Sequence, residues 1–377
     1  MIDRRDHRWA VRFSPESGHY RHSVTCLLRP RLLPSRNDIS SDRHQHATPK
    51  VATAVLGYIA GRDTTDVNEL VAFLDRTYSG ICSAISRPDL FAAMRALESD
   101  KLIYQIENSR ATYAATKLGR AASFAGLSAE TGGMFGVFLR AMIGLSQKRR
   151  EKDPNSKDFL RRLSDLDLIS LCLASFETRD SLLPKLKADQ ITELGQYLEL
   201  LPPAEKPLMN LWRDPDSAEY PTRRLLSTLR FRDNAEGILW NLLQTGVMLR
   251  EHSNGRQVHD LISKYGGYEG DFEGRLKPTV IWLSNSLAQI CTGAKCYNLD
   301  FIVIKAYDLM RNLSVGGNLG KLLAIDGLGM KSINKLTGAG VRRFEDLMTI
   351  GPEALLAMGL RKQQVDLIRR ATIRHGR

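Results

Sequence analysis

The sequence is poor in cysteine and in acidic residues and has no long apolar run, and each shortage excludes a class of protein. Its 377 residues include five cysteines, an odd and scattered set that argues against a disulfide-stapled scaffold and indicates a reduced, intracellular protein. No apolar stretch approaches the roughly 18 residues that cross a bilayer, and the N-terminus has no apolar leader. We therefore expect no membrane partner and no signal peptide, and a cytoplasmic, nucleoid-associated location, or a nuclear one in a eukaryote.

The excess of positive charge predicts a polyanionic partner. Lysine and arginine number 54 against 42 aspartates and glutamates, which gives a formal net charge of +12 and a pI of about 9.5. Nucleic acid, acidic proteins and anionic membranes all attract such a surface, so charge alone does not choose among them. With 43% hydrophobic residues, the chain is long enough for two or three domains with separate cores.

Residue patterns that support catalysis are also missing. We find no Ser/His/Asp set, no paired carboxylates in a supporting context and no metal-ligand cluster, and we predict no catalytic and no metal-binding residues. Cys291 and Cys296 are the one close cysteine pair, but without a second pair or a nearby histidine they do not predict zinc. A phosphate-binding loop needs Gly-x-x-x-x-Gly-Lys-Ser/Thr, and the nearest string, GGNLGKL at 316–322, is one residue short and lacks the hydroxyl. The chain alone should not hydrolyse ATP and should carry no cofactor.

Residues 1–47 differ in composition from the rest of the chain. They contain five of the eight histidines and many arginines, with little helical or strand periodicity. We predict a disordered or poorly defined segment, to which we assign no function.

Three helices and a hairpin are predicted for residues 48–119. Apolar residues recur at helical spacing in three segments, the third of which opens at Pro88. The predicted core-facing residues are Val51, Val55, Leu56, Ile59, Leu70, Phe73, Leu74, Leu90, Phe91, Met94 and Leu97. Apolar runs at 102–106 and 111–114 flank an Asn-Ser turn, which predicts a two-stranded hairpin. This order is typical of a winged helix, a fold that either binds duplex DNA or only packs.

A bundle of several helices is predicted for residues 120–313, so the fold class is mainly α. After a small-residue helix, four glycines are expected to interrupt the chain: Gly126, Gly132, Gly133 and Gly136. The charged run KRREKDP at 148–154 is expected to act as a linker. Beyond Leu163 nearly every segment has helical periodicity, and five prolines between Pro202 and Pro221 mark loops.

Residues 264–290 of this bundle combine a glycine-rich turn with a helix that carries Arg275 and Trp282. Seven residues apart, these two side chains share one helix face about two turns apart. A guanidinium can pair with a phosphate, and an indole stacks on any base for about 1–3 kcal/mol. The alternative is a core tryptophan beside a solvated arginine. Pro278 predicts that the helix begins close to it and leaves Arg275 at its edge.

The most specific pattern is a Gly-Leu-Gly turn between two helices near the C-terminus. Gly327 and Gly329 permit positive φ and a close approach of the backbone to a ligand, while Leu328 acts as an apolar plug. The N-terminus of the following helix offers free N–H groups to a phosphate. Lys331 and Lys335 add positive charge on the next turns.

A second, weaker copy follows at 358–362 (MGLRK), with Gly359, Arg361 and Lys362 as its candidate contacts. Residues 321–377 contain eleven lysines and arginines against five acidic residues, a local net charge of +6. We predict a helix-hairpin-helix domain over residues 318–377 that holds the DNA backbone without reading bases. Such hairpins also serve as packing or protein-contact modules.

The order of winged helix, helical bundle and helix-hairpin-helix resembles the C-terminal part of the archaeal-type superfamily 2 DNA repair helicases, relatives of the polymerase-theta helicase. The resemblance covers about residues 50–371. Its best segments are 73–78 (FLDRTY), 113–123 (YAATKLGRAAS), 264–271 (KYGGYEGD), 282–285 (WLSN) and the hairpin tail.

This resemblance implies a ratchet helix that crosses the path of the translocated strand. An arginine and a tryptophan contact DNA there, and their positions fall on Arg275 and Trp282. The terminal domain of the family clamps the emerging single strand. The two motor domains of the family are missing from this sequence, so ATP and magnesium would act only through a separate motor subunit.

Three functions remain open from the sequence. The first is a DNA-binding accessory chain, or C-terminal portion, of a helicase that grips single-stranded or forked DNA during unwinding or repair. The second is a stand-alone protein that binds single-stranded or branched DNA. The third is an interaction scaffold whose basic faces bind an acidic protein, in which case Trp282→Ala would leave DNA affinity unchanged.

Overall fold

The protein is mainly helical, as the sequence predicts. The computed structural model describes residues 43–77, 85–107, 109, 111–152, 163–181, 186–201, 235–296 and 299–375. The prediction of disorder for residues 1–47 lies outside the described residues except at 43–47, which are helical. The predicted proline-containing loops at 202–221 also lie outside them.

The described first part of the chain contains helices and short strands. They are α1 (Arg43–Ala60), β1 (Thr65–Asp66), α2 (Val67–Asp75), α3 (Arg87–Ser99), β2 (Ile103–Gln105) and β3 (Thr112–Ala115). The starts of α2 and α3 are set by capping boxes, in which Asp66 pairs with Glu69 and Ser86 with Asp89. The predicted core-facing residues are buried or partly buried in one apolar cluster, except Phe91, which is 45% exposed and was assigned wrongly.

The sheet has one strand more than the sequence predicts. The predicted hairpin is present, with β2 and β3 antiparallel, and β1 pairs with the other edge of β3 to give the order β1-β3-β2. A two-residue strand has no alternating pattern, so β1 leaves no signal in the sequence. Asp66 ends this strand and caps α2, which ties the sheet edge to that helix.

Three of the four glycines expected to interrupt the chain lie inside a long helix, whereas Gly126, with φ of +75°, lies in the turn before that helix. After α4 (Lys117–Phe124), the 24-residue α5 (Ala129–Lys152) contains Gly132, Gly133 and Gly136. A Cβ on Gly132 would lie 2.8 Å from that of Ala122, and one on Gly136 would lie 2.5 Å from the Leu118 side chain. These glycines therefore provide close packing, and the residues that require them are distant in sequence. The linker expected at 148–154 is also wrong for residues 148–152, because these residues continue α5. Residues 153 and 154 lie outside the described residues.

In the described part of residues 163–315, further helices and turns of the bundle follow in order. They are α6 (Asp165–Leu173), a 3-10 turn (Phe176–Ser181), α7 (Ala188–Leu200), α8 (Ala235–Ser253), α9 (Val258–Tyr265), α10 (Glu269–Asp271), a π-helical turn (Phe272–Leu276), α11 (Lys277–Gly293) and α12 (Asp300–Val315). Their apolar faces bury one large cluster that includes α11 and α12, and a smaller one between α7 and α8.

The last part of the chain packs around its own apolar cluster. Its elements are a 3-10 turn (Asn318–Ala324), α13 (Met330–Gly338), α14 (Asp346–Thr349), α15 (Pro352–Ala357) and α16 (Lys362–His375). Twelve buried residues between Leu319 and Ile368 form this cluster. The short helices α13 to α16 are amphipathic segments that bury one face each around a common centre.

Candidate nucleic-acid interface

The helix that carries Arg275 begins earlier than the sequence predicts. Helical backbone runs without a break from Glu269 to Gly293, and Arg275 lies within the π-helical turn rather than at a helix edge. The prediction that the helix begins near Pro278 is therefore wrong. Proline has no N–H and crowds the carbonyl four residues earlier. The wider π turn, in which the Lys277 N–H bonds the Phe272 carbonyl, lets the helix continue through this position.

One side of α11 and the preceding turn faces solvent. Arg275, Pro278 and Gln289 are exposed, and Trp282 and Asn285 are half-buried. Spacings of three and four residues place these five positions on one side of the helix, which we call the exposed stripe. Its opposite side is buried in the bundle through Val280, Leu283, Leu287 and Ile290. Arg275 and Trp282 therefore lie on the same exposed stripe.

Trp282 is held in place by the turn that follows α4. Its indole N–H donates a hydrogen bond to the Ala125 carbonyl at 3.2 Å, and a Cβ on Gly126 would lie 3.8 Å from its ring. Phe124, the residue before Ala125, is 80% exposed. The hydrogen bond to Ala125 thus orients the Trp282 ring, and the exposed Phe124 precedes the same turn along the chain.

A neutral histidine lies behind the π turn. His252 is 5% exposed and packs edge-to-face on Phe272, with ring centroids 5.2 Å apart. Burial, and then the charge of Lys277, lower the pKa of His252. Lys277 itself forms an ion pair with Glu273 one turn earlier. Burial thus favours the neutral form of His252 behind the π turn, while Arg275 is exposed on its outer face.

The first hairpin consists of the 3-10 turn Asn318–Ala324, the Gly-Leu-Gly turn and α13, and its backbone reaches the surface at Gly329. Gly327 has φ of +92° and needs glycine, whereas Gly329 has φ of −118° and ψ of 179°, which any residue adopts. The prediction that both glycines serve positive φ is therefore wrong for Gly329. No atom lies within 4 Å of a Cβ built on Gly329. Leu328 is 6% exposed, which confirms its role as an apolar plug.

The second hairpin, which consists of α15, the turn at 358–361 and α16, repeats this geometry. Gly359 has φ of +82° and Leu360 is 4% exposed, as at the corresponding positions of the first hairpin. The Arg361 carbonyl accepts hydrogen bonds from the backbone N–H groups of Gln364 and Val365 at 2.8 and 3.0 Å. In the same way, the Gly329 carbonyl accepts from the third and fourth residues after it at 2.9 and 3.3 Å. Two equivalent turn-to-helix junctions are therefore present, with Arg361 in the place of Gly329.

Gln364 joins the two junctions. Its Nε2 donates to the Ser332 hydroxyl at 2.8 Å and lies 3.5 Å from the Gly327 carbonyl, both in the first hairpin. Its Oε1 accepts the Arg361 N–H at 3.0 Å in the second. The sequence analysis missed Gln364, although it occupies the position that Ser332 has in the first copy, and aligning the two copies would have drawn attention to it. Phe124 was missed because no pattern in its segment predicts exposure.

Lys335 makes a second connection between the hairpins. Its ammonium donates to the carbonyl of Gly359, so part of its role is to hold the second turn against α13. Lys331, Lys335, Arg361 and Lys362 are all exposed around the two junctions. The seven hairpin candidates therefore lie together, while Arg275 and Trp282 lie on a bundle helix.

Within the described parts of the chain, no group of three metal-ligating side chains is close enough to hold a metal ion, and no helix is long and apolar enough to cross a membrane. No protein-family model and no curated protein matches this chain.

Proposed function

We propose that this chain grips single-stranded or forked DNA, as the C-terminal portion or accessory chain of a superfamily 2 DNA repair helicase with a separate motor. The observation that carries the proposal is the pair of joined hairpins. Two helix N-termini, each preceded by a turn with a positive-φ glycine and a buried leucine, open to solvent in a segment of net charge +6. Free N–H groups and positive charge at such ends favour phosphate oxygens.

Joining the hairpins suits a polymer better than a single phosphate. Gln364 and Lys335 fix the spacing of the two junctions before any ligand arrives. A ligand that presents phosphates at a regular interval can then bind both junctions without the entropy cost of ordering them. Neither junction offers a base-reading groove element, so the expected binding is tolerant of sequence and sensitive to salt.

The exposed stripe supports a second contact to the same strand. Trp282 is held by Ala125 with part of its surface exposed, Phe124 is exposed beside that turn, and Arg275 lies about two turns away. Aromatic rings with a nearby guanidinium suit stacked bases and a passing backbone. Helices α1 to α3 and the small sheet of β1 to β3 support the predicted winged helix of residues 48–119.

The test is fluorescence anisotropy of a labelled single strand titrated with the purified chain at two salt concentrations. We expect binding that weakens steeply with salt, a loss of about 1–3 kcal/mol for Trp282→Ala, and a smaller loss for Trp282→Phe, which keeps a stacking ring. No binding at low salt, or parental affinity in folded Trp282→Ala, would contradict the proposal for that site.

Because Trp282 also packs, its variant needs a structural control. Trp240 is likewise half-buried, on α8 within the smaller bundle cluster and away from the exposed stripe. Trp240→Ala should destabilise the bundle and leave DNA affinity near the parental value. Equal affinity losses in both tryptophan variants would mean that bundle stability, rather than stacking, controls binding.

A further inference from the structure

The turn between α11 and α12 holds two cysteines side by side. The Cys296 N–H bonds the Cys291 carbonyl at 3.0 Å, and the Lys295 N–H bonds the Thr292 carbonyl at 3.0 Å. With φ of +53° at Lys295, these two bonds form the Schellman pattern that ends many helices. In this pattern the side chains of the first and last residues are frequently in contact. Here both of those residues are cysteine.

The two thiols differ in burial and in acidity. Cys291 is 2% exposed within the bundle core, whereas Cys296 is half-buried and reaches the surface. The interaction of the two thiols lowers the pKa of Cys296 and raises the pKa of Cys291, whose Sγ lies 3.9 Å from the Leu299 carbonyl oxygen. Cys296 is therefore the nucleophile of the pair and Cys291 its buried neighbour, since the thiolate is the reactive form of cysteine.

Cys172 provides a contrast within the same bundle. It is fully buried, its Sγ lies 3.7 Å from the Ser284 hydroxyl, and burial raises its pKa to about 12. A thiol in this setting is inert toward oxidants in water. Burial and acidity thus single out Cys296, and the Schellman turn supplies its partner.

We propose that Cys291 and Cys296 are a redox-active dithiol, a modification site at which a hydroperoxide closes an intramolecular disulfide. The Cys296 thiolate attacks one oxygen of the peroxide and the O–O bond breaks. The other oxygen leaves as an alkoxide, or as hydroxide from hydrogen peroxide, and takes up the proton that Cys296 released. The sulfur of Cys291 next attacks the resulting sulfenic acid, the S–O bond breaks, and the departing hydroxide takes the Cys291 proton. Two thiols and one hydroperoxide give one disulfide, one water and one alcohol, or two waters from hydrogen peroxide.

The backbone hydrogen bonds already order the segment that a disulfide between Cys291 and Cys296 would close. The Schellman bonds hold the two residues together in the reduced protein, so the S–S bond requires little further ordering of the chain. Reduction by a dithiol reagent reverses the step. The disulfide would fix the corner that connects α11, the helix of the exposed stripe, to α12.

Lys295 makes the modification easy to detect because trypsin cuts between the two cysteines. The expected peptides are 276–295, which carries Cys291, and 296–305, which carries Cys296. The reduced full-length protein is treated with hydrogen peroxide, denatured, alkylated and digested. We expect the two alkylated peptides to disappear together, replaced by one joined pair that a reductant separates, while alkylation of Cys172 is unchanged.

Two variants separate the roles of the thiols. Cys291→Ser should accumulate a sulfenic acid at Cys296 that a dimedone probe traps, and Cys296→Ser should leave Cys291 fully reduced. Oxidation of Cys296 to sulfinic or sulfonic acid with Cys291 still reduced would overturn the proposal, as would joining of either peptide to another cysteine of the chain. Equal reactivity of Cys172 would also overturn it.

Discussion

Replacing Gly329 with aspartate separates the stability of the first hairpin from its proposed contact with DNA. Gly329 is the N-cap of α13, its backbone is extended, and no side chain caps the helix. A Cβ there meets nothing within 4 Å. The new carboxylate would accept the free N–H groups of the first turn, which adds about 0.5–1 kcal/mol to the free energy of unfolding. Gly329→Asp should therefore fold and resist heat at least as well as the parent.

The same substitution should weaken DNA binding. The N–H groups that the carboxylate occupies are those proposed for a phosphate, and the carboxylate also brings a negative charge to the contact. Two unit charges 4 Å apart repel by about 1 kcal/mol in water and about 4 kcal/mol near a protein surface. We take about 1.4–2.8 kcal/mol for this site, which is a loss of affinity of roughly 10- to 100-fold.

Gly351 offers a matched control. It is the N-cap of α15, its backbone is also extended, it has no capping side chain, and its Cβ would also be in open space. It lies at the opposite end of α15 from Gly359. Gly351→Asp changes the charge of the domain equally, and we expect an affinity within about twofold of the parent because a remote surface charge is screened by salt. Anisotropy titrations at one salt concentration and thermal unfolding of both variants give the comparison.

Two outcomes would refute this reasoning. Equal losses of affinity in Gly329→Asp and Gly351→Asp would show that only the net charge matters. A Gly329→Asp variant that gains stability and keeps parental affinity would show that the N-terminus of α13 does not contact DNA.

Three further predictions follow from other contacts. Gln364→Met keeps the side-chain length but loses its hydrogen bonds, so DNA affinity should fall several-fold and stability by about 1 kcal/mol; parental affinity in anisotropy would remove Gln364 as a positioning residue. Gly119→Ala should lower the free energy of unfolding by about 1–3 kcal/mol, because the new Cβ overlaps the Leu102 carbonyl oxygen. Gly57→Ala, in open space on α1, should raise the free energy of unfolding by about 0.5–1 kcal/mol. Urea unfolding that ranks the two variants the other way would contradict the packing described. Because the pKa of His252 is lowered, only the unfolded state takes up a proton there near pH 6.5. The contribution of neutral His252 to the free energy of unfolding is therefore present above about pH 6.5 and is lost as the pH falls below it. Identical pH dependence of unfolding in the parent and in His252→Gln would contradict this.

Periodicity in the sequence was sufficient for most helices, because an amphipathic face leaves a repeating pattern. It predicted the three helices of residues 48–119, the hairpin of β2 and β3, and the helices on both sides of the Gly-Leu-Gly turn. It failed where a distant residue decides the local structure. The glycines of α5 read as helix breakers, but Ala122 and Leu118 require small residues opposite them.

The sequence by itself determined which residue types stand at the candidate interface. It predicted a positive-φ glycine at Gly327, a buried Leu328, a local excess of positive charge, and an arginine and a tryptophan seven residues apart. Each of these depends on a short stretch of chain, so a local pattern is enough to find it. The use of these residues in binding DNA remains a proposal.

Only the tertiary structure decided how these parts are held. Gln364 and Lys335 connect hairpins that are separated along the chain, and Trp282 is oriented by Ala125, which lies in a different helix-to-helix turn. The π turn that carries Arg275 past Pro278 is likewise absent from any simple sequence pattern. Hydrogen bonds between distant segments depend on where the packed core brings them, and a linear pattern carries no record of that.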